Sequence, residues 1–265
     1  MAKMSVSNAW DETRQLLRAE GRLLAAVALA LVFLPAVIVS VVDPTISPTT
    51  ISATDGGSWL LVIAALVALV GQLAIVRLAL SPRTSVREAI VHGAQRMPFY
   101  LAATLIWAAP LLIAFILVMR PMMQDPKSVS GGVILAGFIL LGAMIYLMVR
   151  MILNSAVASA ERIGPVAILR RGWALSRGQW WRLFGFILLF SIGAGIFLLA
   201  VAALGGLLAR LLFGDIEPFS LAALVSAGFA EFASAAVTVV LTVMLARLYA
   251  QVAAPNPVSV PSSAD

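Results

Sequence analysis

Residues 170–204, RRGWALSRGQWWRLFGFILLFSIGAGIFLLAVAAL, decide the fold. From Leu183 to Leu204 no side chain is charged, and only Ser191 carries a hydroxyl. A bilayer core of about 30 Å is crossed by roughly 20 such residues at 1.5 Å each. Lipid offers no partner to a backbone N–H or C=O, so a stretch of this kind has to be an α-helix. The block ahead of it, with Arg170, Arg171, Arg177 and Arg182 interleaved with Trp173, Trp180 and Trp181, is what a chain places at headgroup depth on the side where positive charge is retained.

Five further stretches reach the same length, about 21–42, 58–77, 98–119, 131–150 and 228–247. The composition agrees: 62% of residues are hydrophobic and 11% charged, against about a quarter charged in soluble domains. Mean hydropathy is +1.04. The expected fold is therefore an all-α integral membrane protein with six transmembrane helices. It divides into an amphipathic segment over 1–20, a transmembrane domain over 21–250 and a Pro- and Ser-rich disordered tail over 251–265. The first apolar run exceeds a signal-peptide core and follows Asp11, Glu12 and Glu20, so it reads as a retained anchor.

The loops assign direction. Lys3, Arg14, Arg18 and Arg22 precede the first span, Arg77, Arg83, Arg87 and Arg96 fall in the second connection, and six arginines from Arg150 to Arg182 fall in the fourth. With Arg247, fifteen basic residues share one side, against Arg120, Lys127 and Arg210 on the other. The first outer loop, 43–57, has none. Both ends are therefore expected in the cytoplasm. The absence of cysteine removes disulfides and thiolate chemistry.

Ser58 to Arg77, Gly131 to Arg150 and Gly228 to Arg247 are each nineteen positions apart, which suggests a three-fold repeat of two-helix units. Arginine at the inner end of a helix also needs no repeat to explain it.

Amphipathic interfacial helices are expected on the basic side. Over 84–97, Val86, Ile90, Ala94 and Met97 share one face, with Glu88, His92 and Arg96 opposite and solvated. Between Asn154 and Arg182, Val166, Leu169 and Trp173 form the apolar face, and Arg170, Arg171 and Arg177 stand clear of it. Trp10 and Leu17 mark a third such segment. Such a surface either anchors the protein topologically or recognises anionic headgroups, because Arg pairs with phosphate in a bidentate manner.

No catalytic or metal chemistry is legible. His92 is the sole histidine, so His-based metal sites and serine–histidine pairs lack parts. Met119, Met122 and Met123 cluster without a Cys or His to support them, which is ordinary interfacial packing. Gly131-Gly132 and Gly205-Gly206 lack the lysine of a phosphate loop. No cofactor is expected.

The polar points inside the spans are Gln72 and Glu231, with Pro110 a mild irregularity. If span six ran continuously from Phe219, Glu231 would lie deep in the bilayer. The nineteen-residue register instead starts it at Gly228, makes 219–227 a short outer helix, and puts Glu231 about one turn below the outer surface, paired with Arg210.

SVSNAWDETRQLLRAEGRLL at 5–24, Glu161 and Pro165 after span four, and above all RRGWALSRGQWWRLFGF at 170–186 resemble bacterial inner-membrane proteins of the YciC-like type. They also resemble the membrane domain attached to some glycerophosphodiester phosphodiesterases. The resemblance implies six helices in a bacterial cytoplasmic membrane and brings no catalytic residue. These 265 residues leave no room for the separate catalytic barrel of the fused enzymes. The function expected is non-enzymatic: organising anionic lipid, or serving a membrane protein partner, through the Arg/Trp face. Nucleic acid is not an expected partner. The rival is a transporter or channel with Glu231, Gln72 and Pro110 along its path.

Overall fold

A computed structural model describes residues 5–42, 58–81, 84–124, 130–217 and 219–253. Lys3, Arg83, Lys127, residues 43–57 and the tail from 254 lie outside the described residues. Six helices are long and apolar enough to cross a membrane, and no strand occurs among the described residues.

α1 (Val6–Ala28) starts at Ser5, whose Oγ accepts from the Asn8 N–H at 3.4 Å. It bends at Glu20, loosens into a π-helical turn over Leu29–Phe33, and continues as α2 (Leu34–Val42). The wider turn precedes Pro35, which has no N–H to return to the helix. α3 (Ser58–Leu80) crosses back beside it.

α4 runs from Val86 to Gln124, 39 residues or about 58 Å of helix. The separate interfacial helix expected over 84–97 is thus the first part of the third span. Ser85 and Glu88 explain its sharp start: the Ser85 N–H donates to Glu88 Oε2 at 3.1 Å, and the Glu88 N–H donates to Ser85 Oγ at 3.3 Å, a reciprocal capping box. Of the expected apolar face, Val86, Ile90 and Met97 pack against the core while Ala94 is exposed, and the most deeply buried positions lie beside that face. Ala89, Gly93 and Arg96 turn inward, because the small residues let α4 approach the α3 backbone. A Cβ on Gly93 would lie 2.6 Å from the Val70 carbonyl oxygen.

α5 (Gly131–Met151) leads into α6 (Asn154–Ala160), a single helical stretch of small residues buried from Asn154 to Ser159. α7 (Pro165–Ser176) begins on Pro165, suited to a first helical turn. It buries Ile168, Gly172 and Leu175; of the expected apolar face, Leu169 packs against the core, while Val166 and Trp173 are exposed. α8 (Trp180–Phe213) and α9 (Leu221–Ala253) complete the bundle and pack along each other.

α9 is one helix from Leu221, so the short outer helix over 219–227 does not form. Ser220 starts α9 by accepting from the Ala223 N–H at 3.0 Å, and Ala222, Ala223 and Ala227 are buried along the way, leaving Gly228 nothing to break. In the proposed register α3 and α5 do start at Ser58 and Gly131, while α9 starts seven positions before Gly228.

The core sits at the basic end. It gathers Leu73 to Ala79 of α3, Leu153 and Ala156 to Ala158 around α6, Ile168, Leu183, and Val243 to Tyr249 of α9. Towards the other end α4, α5 and α8 spread their side chains outward, with Ile116, Leu135, Phe138, Leu189 and Leu199 all exposed. A surface this apolar has to be covered, and on six helices of spanning length lipid is what covers it. The Ser5 N–H donates to Gln251 Oε1 at 3.0 Å, so both ends of the described chain lie together at the basic end.

Candidate functional site

The basic end is organised around two buried or stacked arginines. Arg96, 8% exposed, reaches from α4 to the link between α6 and α7. Its Nε donates to the Ala158 carbonyl at 2.8 Å, and one terminal nitrogen donates to the carbonyls of Glu161 at 2.7 Å and Ile163 at 2.9 Å. A guanidinium there satisfies carbonyls that the end of α6 leaves open and places positive charge at the negative end of the helix. The expectation of a solvated Arg96 is therefore wrong. His92, one turn earlier, is likewise not free: its Nε2 lies 2.8 Å from the Ser159 carbonyl. A carbonyl can only accept, so that nitrogen carries the proton. Ser159 Oγ donates onward to the Leu73 carbonyl of α3 at 3.1 Å.

These bonds position Glu161, whose Oε1 accepts from Arg171 Nε at 3.0 Å and from the Tyr249 hydroxyl at 2.8 Å. The Arg171–Glu161 contact is the one ion pair among the described residues. Arg171 thus serves the link to α9 and is half-exposed, whereas Arg170 and Arg177 on the same segment are exposed and have no side-chain partner among the described residues.

The second organiser is Arg150, in the last turn of α5. Its Nε and a terminal nitrogen donate to the Tyr146 hydroxyl at 3.1 and 2.9 Å, and its guanidinium lies over the Trp173 ring at 4.7 Å. Trp180 Nε1 donates to the Tyr146 carbonyl at 3.3 Å, and its ring stacks on Phe184 at 5.0 Å. Trp181 meets Trp180 edge-on at 4.7 Å and is otherwise 77% exposed. The predicted residues Trp173, Trp180 and Trp181 therefore come together, joining α5, α7 and α8 around Arg150, and Arg182 lies exposed beside them.

The membrane-embedded trio does not come together. Glu231 is half-buried and accepts from Ser40 Oγ at 2.9 Å, while Arg210 is exposed near the far end of α8. Gly205 of α8 packs against Phe229 of α9, and the helices run antiparallel. Arg210 and Glu231 thus lie on opposite sides of that contact, roughly 10 Å apart along the axes. The expected Arg210–Glu231 pair is not formed. Gln72 is half-buried on α3 and makes no side-chain hydrogen bond to a described residue.

Sequence reasoning missed Arg96, Ser159 and Tyr249 as organisers. The available signal was Ala89, Gly93 and Arg96 at positions i, i+4 and i+7: small residues mark a close helix contact as surely as large apolar ones mark a core. It also missed the grouping of Arg77, Arg87 and Arg162, which come from three separate segments and line one cavity with His92.

Set against known proteins, the chain matches no family model, no curated protein and no solved structure.

Proposed function

We propose that this is a non-enzymatic protein of a bacterial cytoplasmic membrane, of the YciC-like type, with both ends in the cytoplasm. In this reading it gathers anionic lipid at its basic end. One observation carries the reading: Arg170 and Arg177 stand exposed and form no ion pair with a described residue, on a stretch that also carries Trp181, whose indole is 77% exposed. Guanidinium groups that solely enforced orientation would need no aromatic neighbours at one depth, whereas indole and guanidinium together suit the boundary between acyl chains and phosphates.

The test uses the protein's own tryptophans. In phosphatidylcholine vesicles, brominated phosphatidylglycerol should quench tryptophan fluorescence more strongly than brominated phosphatidylcholine at the same mole fraction. The double variant Arg170→Gln, Arg177→Gln should abolish most of that preference while leaving the phosphatidylcholine signal unchanged. Arg171 is left intact, because it holds Glu161. Equal quenching by the two lipids in the unaltered protein would reduce the segment to an anchor.

A further inference from the structure

On the basic end, away from segment 170–182, lies a cavity of about 540 Å³ that none of the preceding roles uses. Its size falls within the range of about 300–1,000 Å³ common to small-ligand sites. The last turn of α3 supplies Arg77, the first turns of α4 supply Arg87, Glu88, His92 and Gln95, and the link before α7 supplies Arg162. The guanidinium groups of Arg77, Arg87 and Arg162 have no hydrogen-bond or ion-pair partner among the described residues.

That surplus charge has a structural cause. Glu88, the one carboxylate of the lining, is turned back to the Ser85 N–H at 3.1 Å by the capping box and forms no ion pair with any of the three. Arg162 is fixed from behind, because Arg96 grips the carbonyls on both sides of it, at Glu161 and Ile163. The imidazole of His92 is held by Ser159. Like charges brought together on anchored backbone repel one another, and an anion relieves that repulsion.

We propose that this cavity binds a phosphate group. Three guanidiniums contributed by three segments to one lining suit the three terminal oxygens of a phosphate monoester better than the two of a planar carboxylate. Gln95 and Thr84 add neutral donors at the rim. The phosphate can belong to a lipid headgroup or to a soluble phosphate ester, since the cavity lies where the apolar runs of α3 and α4 end. The inference does not depend on the Arg/Trp segment, which contributes no lining residue.

The experiment is native mass spectrometry of the full chain in detergent, titrated with phosphatidic acid, with phosphatidylcholine, and separately with glycerol 3-phosphate. One phosphatidic acid should be retained in preference to phosphatidylcholine. Arg87→Gln and Arg162→Gln, both at exposed positions, should each weaken it by about tenfold. Glu88→Gln keeps the cap, because Gln can close the same box, and removes the opposing charge, so it should tighten binding severalfold. Arg170→Gln with Arg177→Gln should leave this affinity within twofold, which separates the cavity from the lipid-gathering surface. Glycerol 3-phosphate binding with the same arginine dependence, and without phosphatidic acid preference, would identify a soluble ligand. The proposal is overturned if glycerol 3-phosphate does not bind and phosphatidic acid is held no better than phosphatidylcholine, or if the Arg87 and Arg162 variants bind as the unaltered protein does.

Discussion

Replacing Arg96 with Met tests how the basic end is held. The change preserves length and apolar bulk but strands three carbonyl oxygens that the guanidinium now satisfies at 2.7–2.9 Å. Ala158 is fully buried, so its carbonyl bears a desolvation penalty of about 1–3 kcal/mol. Glu161 and Ile163 are half-buried, so water can replace the lost donor there at about 1 kcal/mol each. The expected loss is about 3–5 kcal/mol, a shift of roughly a hundredfold to a few thousandfold in the folding equilibrium. Arg96→Lys should lose about half of that, since one ammonium cannot span three carbonyls. The assay is reversible unfolding by sodium dodecyl sulfate in mixed micelles, followed by tryptophan fluorescence. Trp173 and Trp180 lie on segments that separate when the basic end opens. A loss below about 1 kcal/mol for Arg96→Met would refute the assignment of Arg96 as organiser.

Gly93→Val should destabilise the protein by about 1–3 kcal/mol in the same assay, because its Cβ would meet the Val70 backbone at 2.6 Å and α3 and α4 would have to part. Trp173→Leu removes the ring under Arg150 at 4.7 Å and should cost about 1–2 kcal/mol, with Trp180 emission shifting red as its surroundings loosen. Glu231→Gln keeps an acceptor for Ser40 and should leave the melting temperature unchanged, as should Arg210→Gln; a large loss in either would revive the ion pair between them. Reporter domains fused after either end should both report the cytoplasm, and opposite readings would contradict the orientation derived from the arginines.

Much of the fold was legible because lipid makes backbone satisfaction local: any apolar stretch of sufficient length must be helical, whatever it touches. Helix ends were less legible. Ser220 caps α9, whose first residue Leu221 lies seven positions before the glycine favoured by the repeat, and Ser85 with Glu88 starts α4 as one helix with its span. Both are short-range capping signals that a hydropathy reading passes over. Within the candidate site, the aromatic partners were visible as a cluster in sequence, since Trp173, Trp180 and Trp181 lie within nine residues of one another. The cavity was not, since Arg77, Arg87 and Arg162 are spread over 86 positions.

By itself, then, the sequence determined that the chain crosses a membrane six times and that its positive charge collects at one end, because both follow from transfer free energies summed along the chain. Only the tertiary structure decided which arginines are consumed and which remain available. Arg96 spends its donors on carbonyls of the α6–α7 link, Arg171 pairs with Glu161, and Arg150 is held by Tyr146 and Trp173. Arg77, Arg87 and Arg162 are left facing one cavity. In sequence all six are cations at helix ends; their different roles come from which carbonyl, carboxylate or ring the packing of α3, α4, α6 and α7 brings within about 3–5 Å of each guanidinium, a distance that no local pattern encodes.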